Sequence, residues 1–304
     1  MRGVFVDANE ALAVIFERLT KPGDPGVRIH RDPDVTPDQL PKVLDGAGIA
    51  IVDHTALPTA IARQCAGLKH VVFLGTGVRS YMNPEELAEL GISVHLIRGY
   101  GDTAVAESTI ALMWAAARGI AQMDREMRAG NWLREDGMQL TGKTLGLIGF
   151  GGIAAEVARI ALGSGMRVLA WNRSPKNFAG VGFVDLDTLL AQSHVVSLHL
   201  LLNDETRGFV TRQRIAAMKP GVILVNTARG ALVDEAAMIE ALKSGQIRHA
   251  GLDVFNIEPL PADHPLTKLP NVTLSAHSAF RTPEASENLI HAAWEHCRRI
   301  AKEA

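Results

Sequence analysis

Short runs of β-branched and apolar residues alternate with amphipathic stretches along almost the whole chain. This is the pattern of parallel sheets covered by helices. In the first hundred residues, positions 4–6, 27–30, 50–52, 70–73 and 92–96 predict strands, and 8–19 and 59–65 predict helices. A second series starts near Thr141, with strands expected at 144–148, 167–171, 195–199, 222–226, 250–254 and 272–275. Helices are expected over 153–162, 186–192, 211–217 and 234–243. Between the two series, 103–128 predicts one long helix. Its apolar stretch 110–117 suits core packing, with a dimer contact as the alternative. The tail 284–304 also reads as a helix, with Glu295, Arg298, Arg299 and Lys302 on a solvated face.

A length of 304 residues points to about two domains. At 47% hydrophobic and 21% charged residues, the chain is unlike a disordered one. With 31 Lys and Arg against 33 Asp and Glu, the net charge of −2 gives no broad footprint for nucleic acid. Two cysteines, Cys65 and Cys297, make no disulfide framework and suit reduced thiols in the cytoplasm. Acidic Asp7 and Glu10 come too early for a signal peptide, and no uncharged apolar stretch approaches the roughly 18 residues of a membrane span, so no membrane partner is expected. No Cys, His and carboxylate grouping has metal-ligand spacing, so no metal is implied.

The strand at 144–148 runs into Gly149-Phe-Gly151-Gly152-Ile153-Ala154 and then into a helical pattern. A G-x-G-x-x-G/A match is weak alone, but the strand before and the helix after supply its structural context. Gly149 permits a tight turn, Gly151 lets backbone approach a pyrophosphate, and the N–H groups of Gly152 and Ile153 would hold the phosphates with the helix dipole. Six strands in βα alternation then suit a complete dinucleotide fold of two mononucleotide halves. At the end of the next strand stands Asn172-Arg173-Ser174, where an NAD site usually has an acidic residue. Neutral Asn172 removes the charge that would repel a 2′-phosphate, and Arg173 and Ser174 suit binding one. The cofactor expected is NAD(P), with NADP(H) favoured over NAD(H).

In open α/β sheets ligands sit outside the carboxyl ends of the strands. Three strands lead there to ionisable residues: Arg229 after 222–226, Glu258 after 250–254 and His277 after 272–275. Each alone is weak evidence, since single arginines are usually surface residues and single histidines are often satisfied in the core. Together they supply what hydride transfer between nicotinamide and a 2-keto or 2-hydroxy acid requires. Arg229 would clamp the substrate carboxylate with two prongs, His277 would exchange the proton of the carbonyl oxygen, and Glu258 would fix the tautomer of that imidazole.

The segments that carry these residues resemble the D-isomer-specific 2-hydroxyacid dehydrogenase family, which includes glyoxylate/hydroxypyruvate reductases and D-3-phosphoglycerate dehydrogenases. The matching text is Leu140-Thr-Gly-Lys-Thr-Leu-Gly-Leu-Ile-Gly-Phe-Gly151, Met218-Lys-Pro-Gly-Val-Ile-Leu-Val-Asn-Thr-Ala-Arg-Gly-Ala-Leu-Val-Asp-Glu235, Gly251-Leu-Asp-Val-Phe-Asn-Ile-Glu-Pro259 and Ser275-Ala-His277. Val105-Ala-Glu107 and Gly75-Thr-Gly77 extend it towards the amino terminus. The resemblance implies a Rossmann cofactor domain over 101–282 and a smaller flavodoxin-like substrate domain from 1–100 with 283–304. It makes Arg229, Glu258 and His277 the catalytic trio and places Asp253 at the nicotinamide carboxamide. Thr206, Thr227, Ala228, Leu201 and Ala279 fall among the cofactor contacts, and the loop N–H groups of Thr76 and Gly77 are offered to the substrate carboxylate. It also implies a homodimer.

The chain departs from the family pattern in several places. Leu200-Leu201 follows His199 where proline is common, Gly101 stands for a usual asparagine, and Arg79 for a usual acid. Phe280 and Arg281 after the histidine are bulkier than usual. Arg79 and Arg98 suit a distal phosphate or carboxylate, and equally plain surface arginines. The alternatives to a glyoxylate/hydroxypyruvate reductase-like enzyme are a D-3-phosphoglycerate dehydrogenase-like enzyme and a non-catalytic NAD(P)H sensor like the related corepressors. Formate-type enzymes, which exchange no such proton, tend to have glutamine at the position of Glu258.

Overall fold

The computed structural model describes residues 2–32, 34–75 and 77–303. The chain divides into two compact units, Met1–Gly101 with Arg281–Ala304, and Asp102–Phe280.

The first unit holds five strands: β1 Gly3–Phe5, β2 Val27–Ile29, β3 Ile49–Val52, β4 His70–Phe73 and β5 Ser93–Leu96. All pair in parallel, in the order β2-β1-β3-β4-β5, which is the flavodoxin-like winding. β3 is buried on both faces, which explains its continuous apolar sequence Ile-Ala-Ile-Val. Asp7, fully buried just past β1, accepts the backbone N–H groups of Asp53, His54 and Thr55 and the Thr55 hydroxyl, so its charge is met by four donors. The carboxyl-terminal helix Pro283–Glu303 buries Leu289, Ile290, Ala293, Trp294, Cys297 and Ile300 along one stripe. Trp294 stacks on Phe16 of the helix Glu10–Arg18 at 4.3 Å between ring centroids, and its indole N–H donates to the Phe16 carbonyl at 3.1 Å.

The second unit holds seven strands: β6 Thr144–Ile148, β7 Arg167–Trp171, β8 Val181–Phe183, β9 Val195–Leu198, β10 Val222–Asn226, β11 Ile247–Leu252 and β12 Val272–Leu274. Their order is β12-β11-β10-β9-β6-β7-β8, all parallel, with the reversal of winding between β6 and β9. This is the doubly wound dinucleotide fold with one strand more than the sequence pattern predicts. The extra strand β8, Val-Gly-Phe, is too short to show a period. It is held by pairing with β7 rather than by its own pattern.

The single helix expected over 103–128 is two helices, Asp102–Arg118 and Ile120–Arg128. Gly119 between them has φ 63°, a left-handed conformation that glycine adopts without steric cost and that stops a helix. The apolar stretch of the first helix packs into the core through Leu112, Met113, Ala116 and Ala117. Among the described residues, no helix is long and apolar enough to cross a membrane, and no cluster of ligating side chains suits a metal.

Candidate active site

Three adjacent strands, β10, β11 and β12, deliver Arg229, Glu258 and His277 past their carboxyl ends. His277 Nδ1 lies 2.6 Å from Glu258 Oε2. The other oxygen of Glu258 accepts the Phe255 N–H at 2.8 Å, so the carboxylate is fixed from both sides. The imidazole and the carboxylate are each about one-third exposed, at 36% and 34%. A carboxylate only accepts, so Nδ1 carries the proton and Nε2 is left for chemistry.

The turn that carries His277 is built on Asp253. That fully buried carboxylate accepts the Ser275 hydroxyl at 2.5 Å and the N–H groups of Ser278 and Ala279, each at 3.0 Å. The His277 N–H donates to the Asp253 carbonyl at 2.8 Å. These bonds hold His277 at φ 48°, a left-handed conformation uncommon outside glycine, and offset its cost of order 1–3 kcal/mol.

Arg229 is set by Asn226, which sequence reasoning did not single out. The Asn226 side chain accepts the Ala228 N–H at 3.0 Å and donates to the Arg229 carbonyl at 2.9 Å. Arg229 is half-buried, and its guanidinium donates to the Ala228 carbonyl at 2.6 Å. A Cβ on Gly230 would stand 2.2 Å from the Phe255 carbonyl carbon, so only glycine lets the Arg229 loop press against the loop that leads to Glu258. Thr227, buried, shares a 2.7 Å hydrogen bond with Thr109.

The glycine loop follows β6, at the point where the winding reverses. Gly149 has φ 89°, and a Cβ there would lie 2.7 Å from the His199 carbonyl oxygen, so both backbone and packing demand glycine. Gly151 differs. Its extended backbone suits any residue, and a Cβ there would meet no protein atom within 4 Å. Neither fold nor packing explains this glycine, whereas close approach of a pyrophosphate does. Gly152 and Ile153 open the helix Gly152–Gly163, whose first N–H groups have no partner within the helix. The residues present therefore fit a dinucleotide.

At the end of β7 the Asn172 side chain is a brace: it accepts the Phe150 N–H at 3.0 Å and donates to the Ser174 carbonyl at 2.9 Å. Arg173, 80% exposed, pairs with Glu205 at 2.8 Å. Thr206 organises the loop after β9, donating to the Leu201 carbonyl at 2.6 Å and accepting the Asn203 N–H at 2.8 Å, while Leu201 itself is exposed. In the first unit, Gly77 precedes a short turn, Val78–Ser80, beyond β4, and Arg79 there pairs with Glu85. Thr76 lies outside the described residues.

Comparison with known proteins places the chain in a class. The family model described as D-isomer specific 2-hydroxyacid dehydrogenase, NAD binding domain, matches residues 110–279. A hydroxypyruvate reductase of Thermotoga maritima is 39% identical over 83% of this chain and 84% of its own length. A glyoxylate reductase of Aeropyrum pernix is 35% identical over 94% of this chain and 91% of its own. Among solved structures, an acyclic imino acid reductase (Bsp5) in complex with NADPH and D-Arg superposes with a TM-score of 0.87 at 30% identity, covering 100% of this chain and 98% of the other. The doubly wound sheet and its match define a nicotinamide-dependent oxidoreductase. The chain belongs to the D-isomer specific 2-hydroxyacid dehydrogenase family.

Proposed function

We propose that the chain reduces a small 2-keto acid of the glyoxylate or hydroxypyruvate class to the D-2-hydroxy acid, and runs the reverse reaction, with Arg229, Glu258 and His277 as its catalytic residues. The observation that carries this reading is the 2.6 Å contact between His277 Nδ1 and Glu258, which leaves Nε2 as the one mobile proton site of the ring. A nicotinamide bound beside the glycine loop would supply or accept the hydride. His277, doubly protonated, donates from Nε2 to the carbonyl oxygen as charge develops there, and Glu258 stabilises the imidazolium. In the reverse direction the neutral ring takes the hydroxyl proton at the same atom. Arg229 holds the substrate carboxylate with its planar fork, and Asp253 keeps the histidine turn in its strained conformation. Proton exchange through this pair also distinguishes the reading from a formate-type reaction.

NADP(H) is the preferred cofactor in this reading. Asn172 carries no charge to repel a 2′-phosphate, and the exposed Arg173–Glu205 pair, of a kind worth roughly 0–1 kcal/mol, releases its guanidinium at little cost. The structural relative that holds NADPH supports the same preference. Pairing of two copies is supported by an apolar surface: the helix Ile120–Arg128 buries no side chain, and Ile120, Met127 and Trp132 are more than half exposed. The two free thiols, both buried, fit the cytoplasm.

The test is a panel of glyoxylate, hydroxypyruvate, pyruvate, phenylpyruvate and 2-oxoglutarate, each with NADH and NADPH. Turnover highest with glyoxylate and hydroxypyruvate and with NADPH is expected. Tight cofactor binding with no turnover of any acid would replace the enzyme by a sensor. A kcat/KM for NADH well above that for NADPH would remove the cofactor preference.

A further inference from the structure

The helix Asp102–Arg118 begins with a carboxylate that makes no hydrogen bond or ion pair with the described residues. It is far from idle in space. Asp102 Oδ2 lies 1.8 Å, and its Cγ 2.9 Å, from the point where a Cβ on Gly152 would stand. Gly152 is thus a glycine because Asp102 occupies its side-chain volume. Gly152 is also the first residue of the helix whose free N–H groups suit the pyrophosphate. One unpaired carboxylate therefore sits against the anion-binding end of the glycine loop, where a second negative group is least welcome.

Other charges around it do not neutralise it. On the helix Gly152–Gly163, Glu156 adds a second negative charge, and the nearby Arg159 is tied to Glu156 at 2.9 Å. Its own helix carries Glu107 and, at the far end, Arg118. The strands β10 and β12 contribute no ionisable side chain, and β11 places Arg248 and His249 near its amino end, away from the glycine loop. The ionisable residues of the helix Ile120–Arg128 lie past the carboxyl end of the 17-residue helix, about 25 Å from Asp102. Burial first, and Glu156 second, raise the Asp102 pKa above the ordinary carboxylate value.

We propose that Asp102 is an electrostatic gate on the dinucleotide site: ionised, it opposes the pyrophosphate at Gly152, and protonated or neutralised, it admits it. The proposal rests on the dinucleotide reading given above. It makes Asp102 a residue that tunes cofactor affinity, not one that takes part in hydride transfer.

The experiment is titration calorimetry with ADP-ribose, which has the pyrophosphate but no nicotinamide to report on His277, and with NADPH, between pH 5 and 8. Asp102→Asn is expected to bind both about tenfold more tightly than wild type at pH 7.5, with the gap narrowing as the pH falls and wild-type Asp102 takes up its proton. Glu156→Gln is expected to move the wild-type transition to lower pH, because it removes a charge that raises the Asp102 pKa. Adenosine, which carries no phosphate, should bind wild type and Asp102→Asn alike. Equal ADP-ribose affinity and equal pH slope in wild type and Asp102→Asn, even with a lowered Tm, would make Asp102 merely structural and overturn the proposal. Weaker binding by Asp102→Asn would overturn it too, by making the carboxylate a ligand. If neither protein binds any dinucleotide at any pH, the cofactor reading itself fails and the gate falls with it.

Discussion

His277 Nδ1 and Glu258 Oε2, nineteen residues apart in the chain, stand at 2.6 Å because two neighbouring parallel strands end beside each other. This contact assigns the ring its tautomer and, in the proposed reaction, leaves Nε2 to exchange the substrate proton. Replacing His277 by Ala should lower kcat by about 10²–10⁴-fold, the usual worth of a placed acid–base group, while the cofactor Kd stays within about twofold. Stopped-flow turnover with parallel cofactor titration measures both, and near-wild-type turnover would refute the assignment.

Glu258→Gln separates the electrostatic role of the carboxylate from its structural one. An amide oxygen still accepts the Phe255 N–H, so the loop should persist. What is lost is the acceptor for the Nδ1–H: with the amide oxygen on Phe255, the NH2 group faces the ring and can only donate. kcat for reduction should therefore fall by about 10²-fold or more, within the usual worth of a placed acid–base group, with Tm little changed. An unchanged kcat would leave Glu258 as a brace for its loop.

Arg229 is set by the Asn226 side chain and by the close approach at Gly230, so its fork is presented by a rigid turn. A lysine there keeps the charge but not the planar pair of donors. Arg229→Lys should raise KM for the keto acid about tenfold or more, the worth of one charge-assisted hydrogen bond of roughly 1.5–3 kcal/mol, with the cofactor Kd unaffected. Unchanged KM and kcat would show that Arg229 does not touch substrate.

Much of this architecture was legible in the order of residues, for reasons that differ by element. The strands Thr144–Ile148 and Val222–Asn226 are buried at every position, so their apolar runs have sharp ends and their bounds agree with the sequence reading. Strand β8 is short and glycine-containing, so no period marks it, and Gly119 looks like any glycine inside a helical pattern until its φ of 63° is seen. Arg229, Glu258 and His277 could be picked out as candidates because each follows a strand, and strand ends in a parallel sheet share one edge. Asp102 could not. Its meaning comes from touching Gly152, fifty positions away, and nothing local to either residue announces the contact. The same holds for the Arg173–Glu205 pair, and for Asn226 and Ser275, whose side chains set turns through bonds that only the folded chain forms.

The first unit also holds an imidazole cluster that makes stability depend on pH. Arg299 faces the Nδ1 atoms of His95 and His296 at 3.4 and 3.0 Å, and His70 Nδ1 lies 3.2 Å from His95 Nε2. A guanidinium only donates, so both Nδ1 atoms must be bare and both rings neutral, with the His95 Nε2–H donated to His70. Burial, reinforced by His70, His296 and Arg299, lowers the His95 pKa to about 4, and in the second unit burial lowers His199 and His249 to about 4 as well. In the unfolded chain these rings titrate near the ordinary value of about 6.5. Between these two values the unfolded state binds protons that the folded state refuses, so stability is full above about pH 6.5 and falls as the pH is lowered towards 4. Calorimetric Tm should be level from pH 8 to 7 and drop steadily from 6.5 to 5. His95→Gln, which removes one of these titrating rings, should make the drop shallower. A Tm that does not change between pH 7 and 5, or a slope identical in the variant, would show that the cluster accepts protons without cost.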